Sequence, residues 1–145
     1  MMNRANLICL GVKDLKKSRA FYSDILGFRT PNTEEDPQVV FFDNQGTKLE
    51  LCPLNKLAED IDEKNPPRPG GGFSGITMAY NAKSKAEVDE IFLKLKEAGV
   101  KIAKQPQTVF WGGYSGYFQD PDGYYWEVAY ADIWKFDGND MLIIE

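Results

Sequence analysis

Gly113-Tyr114-Ser115-Gly116-Tyr117-Phe118-Gln119-Asp120-Pro121-Asp122-Gly123-Tyr124-Tyr125-Trp126-Glu127-Val128-Ala129-Tyr130 is the stretch on which the fold turns. Gly113 to Gln119 and Tyr124 to Tyr130 are aromatic-rich runs of strand length. Asp120-Pro121-Asp122-Gly123 between them is a turn, so the segment reads as a β-hairpin. Working back, Val100-Lys101-Ile102 opens a strand and Gly99 stops a helix. Val88, Ile91, Phe92 and Leu95 recur at helical spacing. Ser84-Lys85-Ala86-Glu87 is a capping box, and Gly75 to Tyr80 is a strand. The order is βαβββ.

The same order is written earlier in the chain. Leu7-Ile8-Cys9-Leu10-Gly11-Val12 is a strand. Asp14 caps a helix predicted over Leu15 to Leu26, with Leu15, Tyr22, Ile25 and Leu26 on one side. Gly27 stops it, and Phe28-Arg29-Thr30 opens the next strand. Val39 to Phe42 and Thr47 to Cys52 then form a hairpin around Asn44-Gln45-Gly46. Pro53 to Gly72 carries Asn65-Pro66-Pro67-Arg68-Pro69-Gly70-Gly71-Gly72, which no helix or central strand holds. It reads as a linker with one short helical turn around Lys56 to Ile61. The expected organisation is one domain over 1–145, with modules at 5–52 and 73–130, a linker at 53–72 and a tail at 131–145 that lacks a counterpart. The fold class is α+β: two tandem βαβββ modules in a curved, mostly antiparallel sheet around a cavity.

Composition narrows the chemistry. Of 145 residues, 22 are acidic and 17 basic, a net charge of −5, which argues against a nucleic-acid partner. There is no histidine, so Ser-His-Asp triads, Cys-His dyads and imidazole metal ligands are excluded. Cys9 and Cys52 are too few for a disulfide scaffold. The short apolar run after Met1-Met2-Asn3-Arg4 does not make a signal peptide, and no stretch has the length of a membrane helix. A cytoplasmic protein with reduced thiols and no membrane partner is expected.

Alternation along each strand sorts the side chains into two faces. Ile8, Leu10, Val12, Leu49, Leu51, Ile76, Met78, Tyr80, Trp126 and Val128 are expected to pack on the helices. The opposite face is small, with Cys9, Gly11, Gly75, Thr77 and Ala79, and is edged by Glu50 and Glu127. That is how a concave ligand cavity is written. A wet sheet face with solvated glutamates fits the same pattern. Trp111-Gly112-Gly113-Tyr114 reads as a loop that bends close to something.

Val12-Lys13-Asp14-Leu15-Lys16-Lys17-Ser18-Arg19-Ala20-Phe21-Tyr22 with Leu26-Gly27-Phe28, together with Gly116 to Glu127, resembles the vicinal oxygen chelate superfamily of glyoxalases, bleomycin-resistance proteins and extradiol dioxygenases. The similarity covers about residues 5 to 130 and implies a glyoxalase-like fold, commonly dimeric. The resemblance places the family's four metal-ligand positions at Leu7, Glu50, Gly75 and Glu127. Only the two glutamates carry donors, so no metal or other cofactor is expected. A divalent cation, if held, falls to Glu50 and Glu127.

Two functions follow from the sequence. One is metal-free binding of a small aromatic or cationic molecule by Cys9, Glu50, Thr77, Trp111, Tyr114, Tyr117, Tyr125 and Glu127, with Trp134 as a further flat surface. The other is a lyase, isomerase or dioxygenase-type enzyme in which Glu50 and Glu127 are the catalytic groups, sharing a proton beside a weakly held divalent ion. A small-molecule ligand and a homodimer are the expected partners.

Overall fold

Asp14 accepts a hydrogen bond from the Lys17 N–H at 3.0 Å, and Ser84 accepts one from the Glu87 N–H at 3.0 Å. Both helices therefore start where the sequence places them. The computed structural model describes residues 2–145. The expected leader and domain readings that include Met1 lie partly outside it. The chain divides into two compact units, one running to Gly72 and the other from Phe73 to Glu145.

In the first unit, β1 (Leu7–Val12) is followed by α1 (Leu15–Ala20), which continues as a π-helical turn over Phe21–Ile25. β2 (Val40–Phe42), β3 (Lys48–Pro53) and α2 (Leu54–Ile61) complete it. The sheet order is β1-β3-β2, with β1 parallel and β2 antiparallel to β3. The wider turn corrects the expected helix face. Leu26 N–H donates to the Phe21 carbonyl five residues back at 3.1 Å. Ser18, Phe21 and Tyr22 form the buried face, and the extra residue in the turn that follows carries Ile25 off it, 40% exposed. Tyr22, fully buried, packs on Phe28 and Phe42 with ring centroids 5.7 and 5.6 Å away. Each such buried aromatic contributes roughly 1.5–3 kcal/mol.

Phe28 to Thr30 is not a strand, which corrects the fourth strand expected in the first module. The outer edge here is satisfied piecemeal: the Phe41 N–H of β2 donates to the Asn32 side-chain oxygen at 2.9 Å, and just past the strand the Asp43 N–H donates to the Arg29 carbonyl at 2.8 Å. Pro31 supplies no donor for a ladder, and Arg19 holds the loop by donating to the carbonyls of Asn32 and Glu34. α2 is a second difference. It begins at Leu54, directly after β3, and occupies eight residues of the expected linker.

In the second unit, β4 (Thr77–Asn81), α3 (Lys85–Glu97), β5 (Lys101–Thr108), β6 (Tyr114–Gln119) and β7 (Tyr125–Tyr130) follow the expected βαβββ order. The sheet order is β4-β7-β6-β5, parallel between β4 and β7 and antiparallel elsewhere. α3 ends in a Schellman motif: Val100 N–H reaches the Leu95 carbonyl at 2.9 Å, Gly99 N–H reaches Lys96 at 3.0 Å, and Gly99 has φ 73°. Val88, Phe92 and Leu95 of α3 are buried with Met78, Phe118, Trp126 and Val128 of the sheet. Ile76 and Tyr80, expected on that face, are 53% and 48% exposed. Ile76 precedes β4, and Tyr80 turns its hydroxyl to Glu87 at 2.6 Å. The tail folds back on itself, with Phe136 bridged to Leu142 and Trp134 stacked on Trp111 at 5.8 Å.

Candidate functional site

The cross-strand register of the second unit lines up one residue from each strand. Ala79 of β4 stands opposite Glu127 of β7, Glu127 opposite Tyr117 of β6, and Tyr117 opposite Lys104 of β5. Directly paired residues share a face. The neighbouring row pairs Thr77 with Tyr125 and Tyr125 with Gln119. Over these rows lies an open hollow of about 460 Å³, lined by Phe73, Thr77, Ala103, Lys104, Tyr117 and Tyr125. Phe73 meets Tyr125 edge-on, with centroids 5.7 Å apart. Tyr117 directly faces Glu127 across the β6–β7 pairing. Burial first, then the charge of Glu127, push the phenol above its ordinary range.

Three lining residues were missed by sequence reasoning. Ala103 and Lys104 both reach the hollow because the β5–β6 register slips between Ile102 and Lys104, so two residues oppose one. Pro106, inside this edge strand, was the available signal of an irregular ladder. Phe73, 67% exposed, sat at the boundary of the Gly-rich stretch, where no periodicity marks it.

The first unit carries the matching row Cys9, Glu50 and Phe41. Its surroundings differ. A Cβ on Gly11 would lie 2.5 Å from the Leu54 side chain and 3.3 Å from that of Leu57, so α2 packs onto the face expected to be open above Gly11. Burial, then the charge of Glu50, push the Cys9 thiol up to about 12. Burial, Glu50 and Asp60 also raise Cys52. Both thiols are free and held protonated, which disfavours the thiolate a nucleophile needs.

Of the sequence-predicted site residues, the second unit brings Thr77, Tyr117, Tyr125 and Glu127 together on one face. Cys9 and Glu50 are together in the first unit. Tyr114 and Trp111 belong to neither group. Tyr114 alternates onto the helix side of the sheet and donates its hydroxyl to Asp89 of α3 at 2.6 Å. Trp111, 43% exposed, lies in the loop before β6, its ring over Gly113.

The register also revises the ligand positions drawn from the resemblance. Leu7 pairs two residues before Glu50, and Thr77 two residues before Glu127. Thr77, not Gly75, therefore matches Leu7; Gly75 lies outside β4 with φ 78°. Leucine offers no donor and a threonine hydroxyl only a weak one. Among the described residues, no group of three or more His, Cys, Asp or Glu side chains is placed to hold a metal ion. The donor set does not fit a four-ligand transition-metal centre. No helix among the described residues is long and apolar enough to cross a membrane.

Comparison with known proteins adds the lineage. Residues 4–128 match the family described as the Glyoxalase/Bleomycin resistance protein/Dioxygenase superfamily. The Bacillus subtilis (strain 168) protein YraH is 33% identical over 116 residues, covering 79% of this chain and 88% of that protein. A glyoxalase-related enzyme from Fulvimarina pelagi superposes with a TM-score of 0.82 at 26% identity, covering 99% of both chains. The lactoylglutathione lyase of Agrobacterium tumefaciens gives a TM-score of 0.69 at 27% identity, covering 94% of this chain and 100% of that one.

Proposed function

The chain belongs to the glyoxalase/bleomycin resistance protein/dioxygenase superfamily, and from that premise we propose that it binds a small aromatic or cationic molecule, without a metal, in the hollow of the second unit. The observation that carries this reading is the composition of that hollow. Three aromatic rings, Phe73, Tyr117 and Tyr125, line it together with Lys104, and Glu127 stands in the same cross-strand row, directly opposite Tyr117. Flat surfaces take a ring, and a carboxylate beside them takes a positive group. About 460 Å³ suits a molecule of one or two rings.

A thermal-shift comparison of benzylamine with benzyl alcohol tests it. The ring is the same and only the charge differs. Benzylamine raises the melting temperature and benzyl alcohol does so less. Equal shifts, or none from either, would contradict the reading.

The enzyme alternative needs a stronger donor set than this chain has. A lactoylglutathione lyase lies among the similar structures, yet Leu7 and Thr77 stand at the positions that would complete a metal centre here. The binding reading is therefore preferred over lyase, isomerase or dioxygenase chemistry at Glu50 and Glu127. The same reading extends to a cytoplasmic homodimer. The edge strand β1 leaves Leu7 and Ile8 43% and 40% exposed, which suits contact with a second copy. Light scattering of the purified protein checks the dimer.

A further inference from the structure

A second hollow lies in the same unit, beside the loop that leads into β6. It measures about 410 Å³ and is lined by Lys85, Gly112, Gly113, Tyr114, Tyr130 and Asp132. The Trp111-Gly112-Gly113-Tyr114 loop builds one wall. Gly112 adopts φ 91°, and a Cβ on Gly113 would overlap the Trp111 ring, so only glycines let the chain turn here beneath the indole. Trp111 is in turn stacked on Trp134 of the tail, which fixes the loop from outside. Tyr114 is fixed from below by its bond to Asp89.

The charges of this hollow are unbalanced in a specific way. The Lys85 ammonium lies 5.8 Å from the centre of the Tyr114 ring and is in no ion pair among the described residues. Asp132 is likewise unpaired there. Among the described residues of this unit Lys83, Lys94 and Lys135 pair with Asp140, Glu90 and Glu145, while Lys85, like Lys96, Lys101 and Lys104, is in no ion pair. Here one cation and one anion line the same open space without meeting. A molecule that carries both charges on groups joined through one carbon offers a partner to each.

We infer that this hollow is a binding site for a small zwitterion of the α-amino acid class, its carboxylate on Lys85, its ammonium on Asp132 and a flat side chain against Tyr114 and Tyr130. The site is separate from the sheet-face hollow, with which it shares no lining residue.

The test uses L-phenylalanine, with its methyl ester and its N-acetyl derivative as probes lacking one charge each. Binding to the full chain is followed by amide NMR shifts. L-phenylalanine saturates with a Kd on the order of 1 mM or tighter, and perturbs Lys85, Tyr130 and Asp132. Each blocked analogue binds about tenfold more weakly, as do Lys85→Met and Asp132→Asn. Tyr125→Ala and Glu127→Gln leave it unchanged, which separates this site from the one proposed above. Absence of saturable shifts at Lys85, Tyr130 and Asp132, or equal affinity there for the blocked analogues, would overturn it, whether or not Tyr117 and Tyr125 also shift. The analogue comparison needs only the unaltered protein, so it decides even if a variant fails to fold.

Discussion

Tyr117 and Glu127 are direct partners across the β6–β7 pairing, and burial together with the charge of the carboxylate keeps the phenol neutral. The pairing sets a carboxylate beside a phenol that lines the hollow. It also links a polar residue to an aromatic wall, so one substitution changes both charge and ring chemistry. The neutral phenol is the form the fold prefers. Its contribution to stability is present below the ordinary phenol value of 10.0 and is lost as the pH rises past it.

Glu127→Gln removes the charge but keeps an acceptor. The expected stability change is under about 1 kcal/mol. The Tyr117 titration moves back toward its ordinary value, while part of the shift remains because burial is its first cause. Ultraviolet titration of the variant, with Tyr117→Phe as the reference that identifies the signal, checks both.

Cys9 should resist alkylation. With its thiol pushed up to about 12, the thiolate fraction at pH 8 is far below that of an ordinary cysteine. Iodoacetamide at pH 8 should label the folded protein much more slowly than the unfolded one. The stability this thiol contributes is fully present below 9.0 and is lost as pH climbs from there through about 12. Rapid labelling of Cys9 by peptide mass analysis would contradict its environment.

Gly116→Ala tests the packing behind the sheet face. A Cβ there would sit 2.6 Å from Phe92, 2.7 Å from the Lys104 carbonyl oxygen and 3.0 Å from the Pro106 nitrogen. Backbone cannot yield as a side chain can. The expected cost is about 1–3 kcal/mol in denaturant unfolding, with β5 displaced from β6.

Ser84→Ala removes the acceptor for the Glu87 N–H. It should cost about 1 kcal/mol. Glu87 still accepts from the Lys83 N–H at 2.7 Å, so part of the helix start survives. A chemical denaturation series comparing Ser84→Ala with Asp14→Ala measures the two caps side by side.

Much of this was legible in the sequence where local chemistry decides. The caps Asp14 and Ser84, the stops Gly27 and Gly99 and the hairpin around Asp120 act within a few residues, and each lies where its side chain predicts. What long-range packing decides was not legible. Phe28 to Thr30 has strand-forming residues, yet Asn32 takes the Phe41 N–H that a strand would need. The π turn at Phe21–Ile25 changes which side of the helix is buried, and no residue type announces it. The site shows the same division. Alternation in β7 put Tyr125 and Glu127 on one face, but a bulge in β5 added Lys104 and Ala103, and α2 closed over Gly11 in the first unit.

The most direct test of metal-free binding is calorimetric titration of benzylamine into untagged protein dialysed against a chelator, in parallel with Glu127→Gln. A polyhistidine tag would add the very ligands the chain lacks. The account predicts saturable binding to the chelated protein, unchanged by added Mg²⁺ or Zn²⁺ and weakened about tenfold in the variant. Binding that appears only after a divalent metal is restored, or that Glu127→Gln leaves intact, would contradict it.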